Sequence, residues 1–313
     1  MLAIFLQTLP FFLIIGLGYG AGRTGFFSEE ATAYLTKFVF YFALSAMLFR
    51  FSANLSLAEV IDWRFITAYL WGTGFVYLLA TMVSLARRIS IEEAAIEAQC
   101  AVIGNVGFLG IPMLVMLMGK GAIVPVMLVL AVDLIVFGSL IVILITGSRD
   151  GRMSLGILRT VGLGLLKNPM IVSIVLGLTW SGLAIPIPAP MNDFLSILGG
   201  AATPGALFAI GASLASKSAE RPFVAGWLSF CKLVLHPGFV AISALWLFPV
   251  EPYAASVMIA AAALPVAGNV YILAQHYGVA PQRVSASILI STTVAVMTVS
   301  LVIGWVIPLG GGP

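Results

Sequence analysis

Long runs of apolar residues, each about the length of a bilayer crossing, follow one another along the chain. A helix needs roughly 20 apolar residues to cross the hydrocarbon layer. Runs of that kind fall at about 3–22, 31–50, 64–86, 96–118, 122–146, 167–184, 191–215, 223–248, 254–277 and 282–308. The pattern therefore predicts ten membrane-spanning helices and no strands. Punctuation residues mark several ends: Gly147-Ser148 after the fifth run, Pro186, Pro188 and Pro190 after the sixth, and Pro249 after the eighth. The opening MLAIFLQTLPFF has neither a positive leader nor an Ala-x-Ala site and is read as a retained first span.

Composition makes lipid the solvent. Of 313 residues, 61% are hydrophobic and 9% charged, against about 25% charged in a soluble domain. The net charge of +3 comes without a basic block, so nucleic acid is not an expected partner. Cys100 and Cys231 lie inside apolar runs and form neither a disulfide framework nor a metal-ligand pattern. No cofactor or metal is expected.

Lys and Arg set the orientation. The odd-numbered connections hold ten of them (Arg23; Arg87, Arg88; Arg149, Arg152, Arg159, Lys167; Lys217, Arg221; Arg283), and the even ones hold three, Arg50, Arg64 and Lys120. Odd connections are thus expected in the cytoplasm and both termini outside, in the periplasm if the membrane is a bacterial inner membrane. Lys37 and Lys232 fall inside spans.

The halves of the chain echo each other. Pro10 and Pro169 open spans 159 residues apart. The stretch Ser45-Ala46-Met47-Leu48-Phe49, followed by Ser52 and Leu55, matches Pro204-Gly205-Ala206-Leu207-Phe208, Gly211 and Leu214 at the same offset of 159. Gly104-Asn105-Val106 recurs as Gly268-Asn269-Val270 at an offset of 164. With five spans per half, the second half enters the membrane from the opposite side. This is the inverted-repeat logic of secondary transporters, whose substrate sites lie on interrupted helices near the midplane. The expected division is residues 1–147, a cytoplasmic linker 148–166, and 167–313.

Several motifs resemble the auxin efflux carrier family, which includes the plant PIN carriers and bacterial malonate-transporter-like proteins. The family's Pro-Asn-Thr-x-x-x-Gly-Ile-Pro motif in the fourth span corresponds to Gly104-Asn105-Val106-Gly107-Phe108-Leu109-Gly110-Ile111-Pro112, with Gly104 in place of the first proline. Leu264-Pro265, Ala274, Tyr277 and Pro281 match its ninth span, Leu44-Ser45-Ala46 replaces its Leu-Pro-Ala, and Lys232 precedes Pro237 at the family's spacing. The resemblance covers nearly the whole chain. It implies an all-α polytopic membrane protein with ten transmembrane helices in a 5+5 inverted repeat. In that fold helices four and nine are broken and cross, and a scaffold and a transport domain move relative to each other. It also implies organic-anion transport and a homodimer.

The interruptions supply the candidate site. Backbone freed by a break at Gly104-Asn105 or Gly268-Asn269 is tolerated only against protein or a watery cavity. Half-helices starting near Val106 and Val270 aim positive ends at the midplane, where a carboxylate fits. Asn105 and Asn269 are expected to cap those ends and to donate to substrate oxygens. Pro112 and Pro265 are read as helix breakers. Asp133, central in the fifth span, is costly enough there to suggest proton or cation binding, or pairing with Lys232. His236, one turn from Lys232, joins it as a coupling candidate. Ser291, Thr292 and Thr293 are weaker ion-site candidates, since such hydroxyls usually bond to their own helix. Gln275 and His276 are placed along an exit route. Glu92, Glu93 and Glu97 read as a solvated helix start.

The function expected is a carrier for a small mono- or dicarboxylate, driven by protons, sodium or the membrane potential. A sodium-coupled symporter of the bile-acid type is the alternative, with a channel or ligand sensor behind it. An enzyme is not expected: no nucleophile triad, phosphate loop or metal cluster is present.

Overall fold

A computed structural model describes residues 2–55, 62–150, 155–216 and 222–310. The described residues are mostly helical, with no strand among them and a single isolated β-bridge. In chain order the helices are α1 (Leu2–Arg23), α2 (Glu29–Ala53), α3 (Trp63–Ala86), α4 (Ile91–Val102), α5 (Val106–Met118), α6 (Lys120–Arg149), α7 (Leu155–Lys167), α8 (Pro169–Gly182), α9 (Ala189–Ala215), α10 (Pro222–Leu247), α11 (Pro252–Ala262), α12 (Gly268–Tyr277) and α13 (Pro281–Gly310). Seven of them, α1, α2, α3, α6, α9, α10 and α13, are long and apolar enough to cross a membrane.

Local sequence explains the ends. Ser28, Asp62, Ser90, Asn168 and Glu251 each accept a first-turn N–H at the start of α2, α3, α4, α8 and α11. The expected linker is more ordered than a plain connection: its residues 155–166 lie in α7, which turns by 75° into α8. Asn168 is extended there, as a residue before proline prefers, and its side chain accepts from Met170 N. The runs expected as the fourth and ninth spans are each two short helices, α4 with α5 and α11 with α12, separated by a few non-helical residues.

Packing sorts the helices into two groups. α1, α2, α8 and α9 pack on one another; α3, α4, α5, α6, α10, α11, α12 and α13 form the other group. Small residues let the first group close up. A Cβ on Gly211 of α9 would sit 1.9 Å from the Ile15 carbonyl oxygen of α1, and one on Gly18 would sit 2.1 Å from that of Phe208. Such close backbone approach is a usual source of association between helices in lipid. Gly211→Ala is therefore expected to push α1 and α9 apart at a cost of about 1–3 kcal/mol, read as a lower melting temperature in detergent. In the second group α4 and α11 are buried all round: Ala94–Val102 and Ala255–Ala262 have essentially no exposed surface. Neither stretch leaves a face for lipid; α11 is small or apolar nearly all round, as expected of a buried helix, whereas α4 also buries Glu97 and Gln99.

Five π-helical turns interrupt the longer helices among the described residues, at Val39–Ala43, Val106–Gly110, Asp133–Phe137, Cys231–Leu235 and Ser243–Leu247. Three of them contain the candidates Val106, Asp133 and Lys232. Turns of this type frequently sit at functional sites.

Candidate functional site: two helix breaks facing one cavity

Between α4 and α5 the chain is extended at Ile103 and turns at Asn105 (φ −76°, ψ 56°), where Val106 N–H donates to Gly104 O at 2.8 Å; between α11 and α12 it runs non-helical through Pro265, Val266 and an extended Ala267. The two stretches lie antiparallel and exchange backbone hydrogen bonds. Asn105 N–H donates to Pro265 O at 2.8 Å, and Ala267 N–H donates to Ile103 O at 3.0 Å, with Gly104 bridged to Val266. Each break thus satisfies polar groups freed by the other, which lipid would leave unpaired. A third donor, Val266 N–H, is met by Ser291 Oγ of α13 at 3.1 Å. Ser291 serves the backbone of the break here, while Thr293 bonds to Leu289 O of its own helix.

Pro265 lies in a break and its carbonyl is used there. Pro112 does not: it follows the Val106–Gly110 π-helical turn inside α5, and the interruption lies upstream at Ile103–Asn105. A turn with i→i−5 bonds prepares the helix for a residue that has no N–H to give. The expected caps also differ. Neither Asn105 nor Asn269 caps its helix through its side chain; Asn105 precedes α5 without a cap bond, and Ala267 holds the N-cap position of α12. Asn269 Oδ1 is buried without a hydrogen-bond partner.

Both amides line the same cavity, of about 500 Å³, between the two helix groups. Gly268 lines it as well, whereas Val106 and Val270 are packed away and their N–H groups donate to Gly104 O and Ala267 O. The first N–H groups of a helix have no partner within it, so two positive helix ends and two amides converge on this space. The facing wall comes from α2 and α9 and includes Thr36, Lys37, Phe40 and Ser213. The cavity extends to Glu29, Ser216 and Gln275, which lie beside the first, seventh and ninth connections. Gln275 is at its edge, and His276 is outside it.

Lys37 was legible in sequence only as a charge inside a span. In the structure it is a basic group on the cavity wall, without an ion-pair partner among the described residues. Its neighbour one turn earlier is Tyr34, whose ring centre lies 5.6 Å from Nζ.

Gly104 faces away from the cavity. A Cβ there would lie 3.2 Å from Lys232 Nζ. Lys232, fully buried on α10, donates to Ala262 O, the last carbonyl of α11, where a cation also meets the negative helix end. Its Nζ lies 3.1 Å from His236 Nδ1, and His236 Nε2 lies 3.0 Å from Thr73 Oγ1. Nδ1 also lies 3.2 Å from Ala262 O, so this ring nitrogen faces both Lys232 Nζ and the carbonyl that Lys232 binds. Asp133 does not contact Lys232. Its Oδ1 accepts from Tyr69 OH at 2.8 Å, and its buried Oδ2 has no partner. The coupling candidates nevertheless share one buried polar region: Tyr69, which holds Asp133, has its ring centre 6.0 Å from that of His236, the neighbour of Lys232.

The Glu92–Glu97 stretch is the clearest departure from expectation. Glu97 has no exposed surface. It accepts from Ser84 Oγ at 2.5 Å and from Arg283 Nη1 at 2.6 Å, and it also pairs with Arg87. Arg283 reaches Glu93 as well, at 3.2 Å, and Arg149 binds Glu92 at 3.0 Å. The stretch starts a helix as expected, capped by Ser90, but its inner carboxylate is the hub of an ion network joining α3, α4 and α13.

Long apolar helices with paired interruptions beside a cavity are compatible with a membrane transport protein. A family model described as "Membrane transport protein" matches residues 3–303, and the chain belongs to that family, the auxin efflux carrier family. A protein of Rhizobium meliloti (strain 1021) described as "Putative malonate transporter" is 30% identical over 299 residues, covering 93% of this chain and 92% of its own. "Uncharacterized transporter YfdV" of Escherichia coli (strain K12) is 26% identical over 305 residues, covering 94% of both.

Proposed function

We propose that this protein is a secondary carrier for a small organic anion, a mono- or dicarboxylate of about the size of malonate. The observation that carries the reading is the convergence of Asn105, Asn269 and two helix N-termini on one cavity between two helix groups. Uncharged donors and helix ends hold a carboxylate without a buried permanent charge, so the empty site is not trapped in a tight ion pair. The likeness to a protein described as a "Putative malonate transporter" supports the same substrate class.

In this reading residues 1–147 and 167–313 are inverted five-helix repeats, giving ten spans, with the helices of 148–166 as linker. α1, α2, α8 and α9 are the scaffold; the other group carries the substrate. Every ion pair among the described residues joins helices of the carrying group, at Glu92, Glu93 and Glu97. Across the boundary runs one side-chain hydrogen bond among the described residues, Thr8 to Ser300 at 2.8 Å. A stiff body against a nearly apolar boundary suits an elevator-like slide. With odd connections in the cytoplasm of a bacterial inner membrane and both termini outside, the cavity faces inward.

Asp133 is the proposed proton site, because its Oδ2 is buried without a partner and a bound proton would relieve it. The test is malonate uptake and counterflow in proteoliposomes, with and without a pH gradient or sodium. Asp133→Asn is expected to abolish pH-driven accumulation while keeping exchange; an unchanged pH response removes Asp133 from coupling. Dependence on sodium would favour the bile-acid type of symport. Absence of uptake and counterflow for malonate and related carboxylates would overturn the carrier reading.

A further inference from the structure

We propose that a second cavity, on the other side of the breaks, is the outward half of the anion route, and that Arg50 receives the anion there; this rests on the carrier reading above. The second cavity, about 360 Å³, also lies between the two helix groups, walled by α2, α5 and α9. It is the repeat image of the first. Subtracting 159 from Ser196, or adding it to Met47, leads from this cavity to Lys37 and Ala206 in the other. Gly199 and Phe40 are related in the same way, as are Arg50 and Ala209, and Ile111 leads to Gln275 by the offset of 164 found for the broken helices.

An inverted repeat turns one face of the membrane into the other, so the image of an inward cavity faces outward. The placement agrees: the first cavity uses the start of α2 and the end of α9, and the second uses the end of α2 and the start of α9. Phe108 borders the first cavity, and Ile111 and Pro112 border the second. The α5 segment between them packs on α9 and stands as the partition that a slide of the carrying group would shift.

Charge breaks the image in an informative way. The counterpart of Lys37 is Ser196, and the counterpart of Arg50 is Ala209. Each cavity nevertheless holds one basic side chain, at positions that the repeat does not relate. Arg50 Nε donates to Asn192 Oδ1 of α9 at 3.0 Å, which orients the guanidinium and leaves both Nη groups without a hydrogen-bond or ion-pair partner among the described residues. A guanidinium held by one edge presents its other donors to a carboxylate in a fixed plane.

The test separates sidedness from substrate. In a background with Cys100 and Cys231 replaced by Ala, Ser196→Cys is expected to react with a membrane-impermeant maleimide from the outer face alone, and Thr36→Cys from the inner face alone. Saturating malonate should slow both reactions. Arg50→Gln should raise the half-saturation for malonate at the outer face about tenfold, with the inner face little changed and Arg50→Lys recovering part of the loss. Reaction of Ser196→Cys from the inner face, or its failure to react from the outer face, overturns the second route. An equal effect of Arg50→Gln at both faces, or none, overturns the role of Arg50. If the wild type carries no malonate, the substrate reading fails, and the labelling still decides whether the second cavity opens outward.

Discussion

Asn105→Ala and Asn269→Ala are each expected to lower the apparent affinity for malonate by about tenfold or more, because a hydrogen bond to a charged partner is worth about 1.5–3 kcal/mol and 1.4 kcal/mol is a factor of ten. The protein itself should persist at near wild-type level and melting temperature. Neither amide side chain caps a helix, and Asn269 Oδ1 has no partner to lose. This separates substrate contact from scaffolding: had the amides served the broken backbone, their removal would cost stability first. Asn105→Asp is expected to be more damaging than the alanine, since it places a carboxylate where a carboxylate should bind. Half-saturation curves in proteoliposomes, set beside melting curves in detergent, check both parts. Wild-type transport in both alanine variants would remove the amides from the site.

Glu97→Ala has the opposite signature. Glu97 is fully buried, and Arg283 is 8% exposed, so removing the carboxylate leaves an enclosed guanidinium with only the more exposed Glu93, at 3.2 Å, to pair with. Breaking a buried pair in this way costs about 3–5 kcal/mol, enough to depress folded yield and melting temperature well below wild type. Adding Arg283→Ala should recover part of the loss, because the stranded charge goes with it. Size-exclusion profiles and melting curves of the single and double variants measure this. A Glu97→Ala variant that melts with the wild type would show that the network contributes nothing to stability.

The membrane class could be read directly from 9% charged residues. So could the interruptions, because glycine, asparagine and proline in an apolar run have few other uses. The partners could not. Gly104-Asn105 and Gly268-Asn269 look alike in sequence, yet Gly104 faces Lys232 while Gly268 lines the cavity. Periodicity assigns a residue to a face and is silent on what that face meets. Glu97 shows the cost. Following Ser90, Glu92 and Glu93, it resembles one more acid of a solvated helix start, and nothing local reveals that Arg283 arrives from 186 residues away. Pro112 misleads for a related reason. A proline ordinarily marks the break, but the π-helical turn before it absorbs the missing N–H, and the chain parts upstream, at Ile103–Asn105. Lys37 and Arg50 were visible as charges, but the cavities they serve are formed by helices distant in sequence.

The bridge between Gly104 and Val266 also bears on how the chain is made. Ile103 O waits for Ala267 N–H and Asn105 N–H waits for Pro265 O, across 267 − 103 = 164 and 265 − 105 = 160 residues. At about 5–20 residues per second of synthesis, that is a delay on the order of 8–30 s. Throughout it the first interrupted segment has emerged from the ribosome while its permanent partner is still unmade. Its polar backbone must meanwhile borrow water, lipid headgroups or the insertion machinery, and the first half of the protein stays unfinished at its centre until the second half closes it.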